Sequence, residues 1–279
     1  MADMKTCIAT VSIPGTFEQK IAAISEAGFD AIELFEPDLA TFSGTTREAG
    51  KLVREHGMEV AILQPFRDFE GRNDADRATA FQEAHRKLDL MQELETTLIL
   101  VCSAVDSSNI GDKERIVADF WQLGELAAAR GLRVGYEALA WGRHVRDVDR
   151  AWEIVQRCNH PNVGLIVDSF HTLVRKNDPE FIRTIPGERI FFFQIADAPL
   201  LDMDALQLSR HYRTVPGKGD LDVDSVVRAV LSTNYNGPLS LEIFRTTVLS
   251  GSSQQIAQEN YEALIRLIKR VTEKAEDQS

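Results

Sequence analysis

Residues 163–170 read VGLIVDSF, an uncharged, strand-like run that closes on a carboxylate, Asp168. The same design recurs in VGYEA (134–138), which reaches Glu137, in FFFQIAD (191–197), which reaches Gln194, and in LSLEIF (239–244), which reaches Glu242. An acidic or amide side chain at the end of a buried strand is costly unless it is hydrogen-bonded, paired or bound to a metal. Four of them at the same place in four successive strands point to one shared site. Three carboxylates and an amide suit a hard divalent cation such as Mg²⁺ or Mn²⁺.

Outward from these runs the chain alternates with regularity. Short apolar segments begin at Cys7, Ala31, Met58, Thr97, Arg133, Val163, Ile190 and Pro238, rich in Val, Ile, Phe and Leu as buried parallel strands are. Between them lie helical patterns over 17–27, 45–56, 74–94, 112–130, 147–158, 178–184 and 222–233, with a last one over 253–274. Several open on Ser, Thr or Asp and stop before Gly, as capping requires. Strand then helix, eight times, predicts an α/β fold of the (β/α)8 TIM-barrel class, spanning 1–279 as a single catalytic domain with a frayed tail over 275–279. No GxGxxG follows the first strand, which disfavours an open dinucleotide-binding sheet. A longer insertion, 198–221, follows the seventh strand and in a barrel falls on the catalytic face.

The 279 residues suit one barrel, which typically needs about 250. A net charge of -12 disfavours a nucleic-acid partner, whose phosphates demand a basic surface. Cys7, Cys102 and Cys158 are scattered in apolar stretches and read as buried reduced thiols. No apolar stretch approaches the roughly 20 residues of a membrane span, and no signal-peptide core opens the chain. The expectation is a cytoplasmic protein with no membrane partner. Its oligomeric state is left open between a monomer and a homodimer or larger assembly.

Around the quartet, Glu33 in AIELFE and Gln64 in ILQPF hold the matching places on strands two and three. They are candidates for second-sphere or substrate contacts, or for satisfied rim residues. His171, three residues after Asp168, can ligate, orient a metal-bound water or act as a base, since imidazole moves protons near neutral pH. His144, with Trp141 as a possible wall, is a second polar contact on the loop after strand five; His56, His85 and His160 read as surface residues. Arg67 and Arg72 in PFRDFEGR, and Arg210 and Arg213 in SRHYR, place two guanidinium clusters on loops that face one mouth. Guanidinium groups recognise carboxylates bidentately, so the expected partner is a small anionic substrate. The glycine-rich PGKGD (216–220) reads as a turn before it reads as a phosphate cradle.

The stretches IATVSIPGT, AGFDAIELFE, LQPFRDFEG, KLDLMQEL, GYEALAWGRHV, VDSFHTL, FFFQIADAP and SRHYRTVPGKGD span most of the chain. Together they resemble the sugar phosphate isomerase/epimerase superfamily of TIM barrels, and within it the bacterial 3-dehydroshikimate dehydratases. PFRDFEG, YEALAWGRH and SRHYR carry the narrower resemblance; the strand-end acids belong to the wider group. The resemblance implies a hydro-lyase that converts 3-dehydroshikimate to protocatechuate through an enediolate, in the degradation of quinate and shikimate. It implies one divalent metal (Mg²⁺, Mn²⁺ or Co²⁺) on Glu137, Asp168, Gln194 and Glu242, and His171 as the catalytic acid/base. Arg67, Arg72, Ser209, Arg210 and Arg213 would hold the substrate carboxylate and hydroxyls. The alternative is a sugar or inosose isomerase, epimerase or dehydratase of the same superfamily, which needs no arginine clamp. Gln194 departs from the histidine that many of those isomerases carry at the seventh strand.

Overall fold

The computed structural model describes residues 4–244 and 251–276. Eight strands, β1 (Thr6–Ala9), β2 (Ala31–Phe35), β3 (Glu59–Phe66), β4 (Leu98–Cys102), β5 (Arg133–Glu137), β6 (Val163–Asp168), β7 (Ile190–Ile195) and β8 (Leu239–Leu241), form a closed barrel in chain order. All neighbours pair in parallel, and β1 closes against β8. The strand starts fall within one residue of those expected. Every residue from Val163 to Asp168 is buried, as a strand covered on both faces by barrel interior and helices should be.

The helices form because their ends are chemically marked. In α1 (Phe17–Ala27), Thr16 and Gln19 cap each other reciprocally, and Gly28, at φ 101°, turns the chain out in a left-handed conformation that costs a glycine little. In α2 (Thr46–Glu55), Thr45 and Glu48 repeat that reciprocal cap. Asn73 and Asp112 cap α3 (Asp74–Leu94) and α4 (Lys113–Ala128). After α5 (Val148–Cys158) the expectations and the structure diverge. A short α6 (Ser169–Val174) starts directly at the end of β6, because the Asp168 carboxylate accepts from the amides of Phe170 and His171. The expected helix over 178–184 is instead a 3₁₀ segment, Pro179–Thr184. Within the 198–221 insertion, Asp204 caps an unforeseen α7 (Ala205–Tyr212). Then α8 (Val223–Ser232) and α9 (Ser253–Glu276) complete the ring. Residues 275 and 276 of the expected frayed tail continue α9, and 277–279 lie outside the described residues. No helix among the described residues is long and apolar enough to cross a membrane.

Two further expectations are settled by packing. The three cysteines are buried free thiols. His160, read as a surface residue, is buried, because its ring lies over Gly124, where any Cβ would come within 2.7 Å of it. The PGKGD turn does not present its amides outward. Asp197, buried just after β7, accepts from the amides of Ala198, Gly217, Gly219 and Leu221 at 2.8–3.0 Å, so an internal carboxylate occupies the anion position of that loop. Replacing Asp197 by Ala strands these amides. Urea denaturation is expected to show unfolding free energy reduced by about 2–4 kcal/mol, given roughly 1.5–3 kcal/mol for a hydrogen bond to a charged group.

Candidate metal and substrate site

The C-terminal ends of the strands bring the quartet together. Glu137 and Asp168 are the last residues of β5 and β6, Gln194 pairs in register with Asp168, and Glu242 follows β8. All four are buried. One layer below, Glu33 is fully buried. It accepts from Gln194 Nε2 at 2.7 Å, from Gln64 Nε2 at 3.2 Å and, through a short contact, from Ser240 Oγ. Gln64 Nε2 also donates to Glu242 Oε1 at 2.7 Å. Gln64 thus lines the cavity, whereas Glu33 lies behind it and bonds its amide.

Arg213 ties the layer together. Its Nη1 donates to Asp168 Oδ2 and to Glu242 Oε2, both at 2.9 Å, and its Nε donates to Ser209 Oγ at 3.1 Å. The guanidinium lies 4.4 Å over the Phe170 ring and is 1% exposed. Burial alone would raise every carboxyl here. Burial, then the neighbouring Glu242 and Asp168 charges, push Glu137 well above the usual range; burial and Glu242 do the same to Glu33. Burial also raises Glu242, against the pull of Arg213. Asp168 goes the other way: against its burial, Arg213 and His171 hold it below its ordinary value.

His171 is buried between the rings of Trp141 and Phe170. Its Nε2 lies 3.6 Å from Glu137 Oε1, 3.7 Å from Asp168 Oδ2 and 3.2 Å from Arg213 Nη2, and the Ala140 amide points at its Nδ1 from 3.2 Å. Burial lowers its pKa to about 3, so the ring is neutral at working pH. Both ring nitrogens face N–H groups, and a neutral imidazole accepts from only one of them.

A narrow cavity of about 20 Å³ opens over this floor, walled by Leu100, Leu139, Trp141 and Phe244, with Arg67 and Arg210 beside it. Five of the residues expected to bind substrate line it: Gln64, Arg67, Ser209, Arg210 and Arg213, the last engaged with the carboxylates. The structure does not bring Arg72 or His144 to it. Arg72 Nε donates to the Asp68 carbonyl and Nη1 to Asp106 and Ser108, while His144 Nε2 meets the Asn109 carbonyl at 2.9 Å. Sequence reasoning missed Cys102, whose thiol faces Glu137, and Ser240. Both had a signal, as polar atoms on strands whose neighbours are apolar.

The residues fit a divalent cation. Donor atoms of Glu137, Asp168 and His171 lie within 4.8 Å of one another. Gln194 Nε2 donates to Glu33, and Gln194 Oε1 is buried without a partner. An orphaned buried oxygen beside mutually repelling carboxyls matches an oxygen-ligated cation.

The sequence profile of the xylose isomerase-like TIM barrel matches residues 21–271. The chain belongs to that family. A curated relative from Pseudomonas putida, named 3-dehydroshikimate dehydratase, is 47% identical over 264 residues, which cover 95% of this chain and 42% of the relative. A solved xylose isomerase-like TIM barrel/4-hydroxyphenylpyruvate dioxygenase fusion protein superposes with a TM-score of 0.97 at 46% identity, covering 99% of this chain and 44% of the fusion. The chain therefore spans less than half the length of these relatives. A third structure, described as IOLI protein with a binding zinc atom, shares the fold at a TM-score of 0.86 and 21% identity, covering 96% of this chain and 99% of that one.

Raised carboxyl pKa values make a pH prediction. Burial raises Glu137 and Glu242, so a cation competes with protons for them and metal affinity should strengthen as pH rises. Calorimetry with Mn²⁺ in buffers of different ionisation enthalpy should show net proton release that diminishes as pH rises.

Proposed function

We propose that this barrel is a hydro-lyase that dehydrates 3-dehydroshikimate to protocatechuate with one divalent metal, Mg²⁺, Mn²⁺ or Co²⁺. The observation that carries the choice is the pair Arg67 and Arg210. Both line the cavity, and among the described residues neither forms an ion pair with a protein carboxylate. Burial and then the nearby charge of Arg67 lower the pKa of Arg210. Two guanidinium groups that repel each other beside a cavity, near Glu242 but ion-paired to no carboxylate, suit a carboxylate on the ligand. A neutral sugar or inosose would leave both unanswered. The name of the Pseudomonas putida relative supports the same substrate.

In this reading Glu137, Asp168, Gln194 and Glu242 hold the cation. When bound, it would polarise the C3 ketone and make the C4 proton acidic. Arg67 and Arg210 grip the ring carboxylate and fix which face of the ring meets His171. His171 Nε2 bears the lone pair in the tautomer protonated at Nδ1; it now accepts from Arg213 Nη2, and substrate must displace that contact to bring C4 to Nε2. There it takes the C4 proton, and the resulting imidazolium lies against Asp168 and Glu137. The C5–oxygen bond then breaks, and the same proton leaves with the hydroxyl as water. Loss of one C6 proton with protonation of the C3 oxygen completes the aromatic ring. Three free, buried thiols suit a reducing, cytoplasmic setting.

Ultraviolet monitoring of 3-dehydroshikimate with added Mg²⁺, Mn²⁺ or Co²⁺ tests the proposal. Protocatechuate should appear, and chelation should abolish its formation. Arg67→Met and Arg210→Met should each raise KM by about 10- to 100-fold, the worth of a charge-assisted contact. His171→Ala should lower kcat by about 10²–10⁴-fold with metal still bound. No protocatechuate under any metal would refute the substrate; unchanged KM in both arginine variants would refute the clamp.

A further inference from the structure

Arg67 directly follows the eight-residue β3, and something must aim it. The loop that carries it turns twice through left-handed backbone, at Asp68 (φ 51°) and Gly71 (φ 66°). Asp68 is tolerated there because its carboxylate accepts from the amides of Val105 and Asp106 at 2.8 and 2.9 Å. Between the two turns, Phe69 and Glu70 both go inward. Phe69 packs against Phe66, Phe81 and Phe120, an apolar contact that supplies area but little direction.

Glu70 supplies the direction. Its Oε1 accepts from the Ala104 amide at 2.7 Å and from Tyr136 Oη at 3.1 Å. Its carbonyl accepts from Asn109 Nδ2, and Gly71 on its far side is held by Asp119 Oδ2 at 2.9 Å. Ala104 in turn accepts from the Arg143 amide, and Ser103 receives the Leu139 amide, so the same anchor reaches the loop whose Ala140 faces His171. Tyr136 is the neighbour of Glu137 on β5. One buried carboxyl thus joins three loops around the mouth while touching none of the reacting groups. Burial pushes it up to about 8, against the Ala104 hydrogen bond, and its Oε2 has no partner, so it acts as a neutral acceptor rather than as a charge.

We propose that Glu70 is a positioning residue: its carboxyl, bonded to Ala104 and Tyr136, pins the loop after β3 to the loop after β4 and thereby aims Arg67 at the substrate carboxylate. The inference rests on the reading of Arg67 given above.

A double-mutant cycle tests it. Glu70→Ala should raise KM for 3-dehydroshikimate by about tenfold or more, with kcat within about threefold, since misplacing one contact is enough to cost that much. In an Arg67→Ala background the same change should move KM by less than about twofold, because the two sites act as one. Glu70→Gln keeps a neutral acceptor at Oε1 and should behave as wild type. Hydrogen exchange gives a readout independent of activity: the amides of 67–72 and 103–106 should exchange at least about tenfold faster in Glu70→Ala, with the α3 and α4 interiors unchanged. An equal rise in KM in both backgrounds, or unchanged KM and exchange in Glu70→Ala, would overturn the positioning role. Faster exchange in a protein that makes no protocatechuate would overturn the substrate reading and leave the loop anchor standing.

Discussion

The guanidinium of Arg213, locked between Asp168 and Glu242, is the contact on which the rest of the site depends. Glu33, Glu137, Asp168 and Glu242 are four carboxyl groups inside one barrel, and Arg213 is the buried positive charge that faces them. Removing one partner from a buried ion pair typically costs about 3–5 kcal/mol, because the other charge is left without compensation. Asp168, bonded to Arg213, is held below its ordinary value, whereas burial raises Glu242 despite the same contact and pushes Glu137 well up. A divalent cation would favour the ionised form of the carboxyls that burial raises.

That balance ties chemistry to architecture. Asp168 is at once the end of β6, the cap of α6 and the partner of Arg213, so His171 is held at one helical turn from it. Arg213 reaches the floor because α7 folds inside the insertion after β7, with Ser209 one turn back to receive its Nε. Asp197 fastens the far end of the same insertion. The family's barrel supplies the strand ends, and the two loops after β3 and β7 supply the arginines that line the cavity.

Much of this was legible in the sequence. Strand ends with Glu137, Asp168, Gln194 and Glu242 stood out because polar atoms in apolar runs need partners, and the alternation with capped helices made them neighbours. The arginines were harder. Arg67, Arg72, Arg210 and Arg213 look alike as loop residues, yet one faces the carboxylates, one is tied down by Asp106 and two line the cavity. Those outcomes depend on contacts 29 to 45 residues away, which no local pattern encodes. Glu70 carried a weak signal, an acid between Phe69 and Gly71 with no partner in sequence, and only the fold shows that it points inward. His144 was misplaced for the same reason: its ring turns to the Asn109 carbonyl rather than to the mouth.

The central claim is that the orphaned Gln194 oxygen and the three strand-end carboxylates hold one cation, with His171 left free to move a proton. Anomalous scattering from crystals grown with Mn²⁺ addresses it directly. The account predicts one peak in bonding contact with oxygens of Glu137, Asp168, Gln194 and Glu242, with His171 Nε2 outside the coordination shell. A peak ligated by His171 with Gln194 Oε1 turned away, or no peak within the barrel mouth, would contradict it.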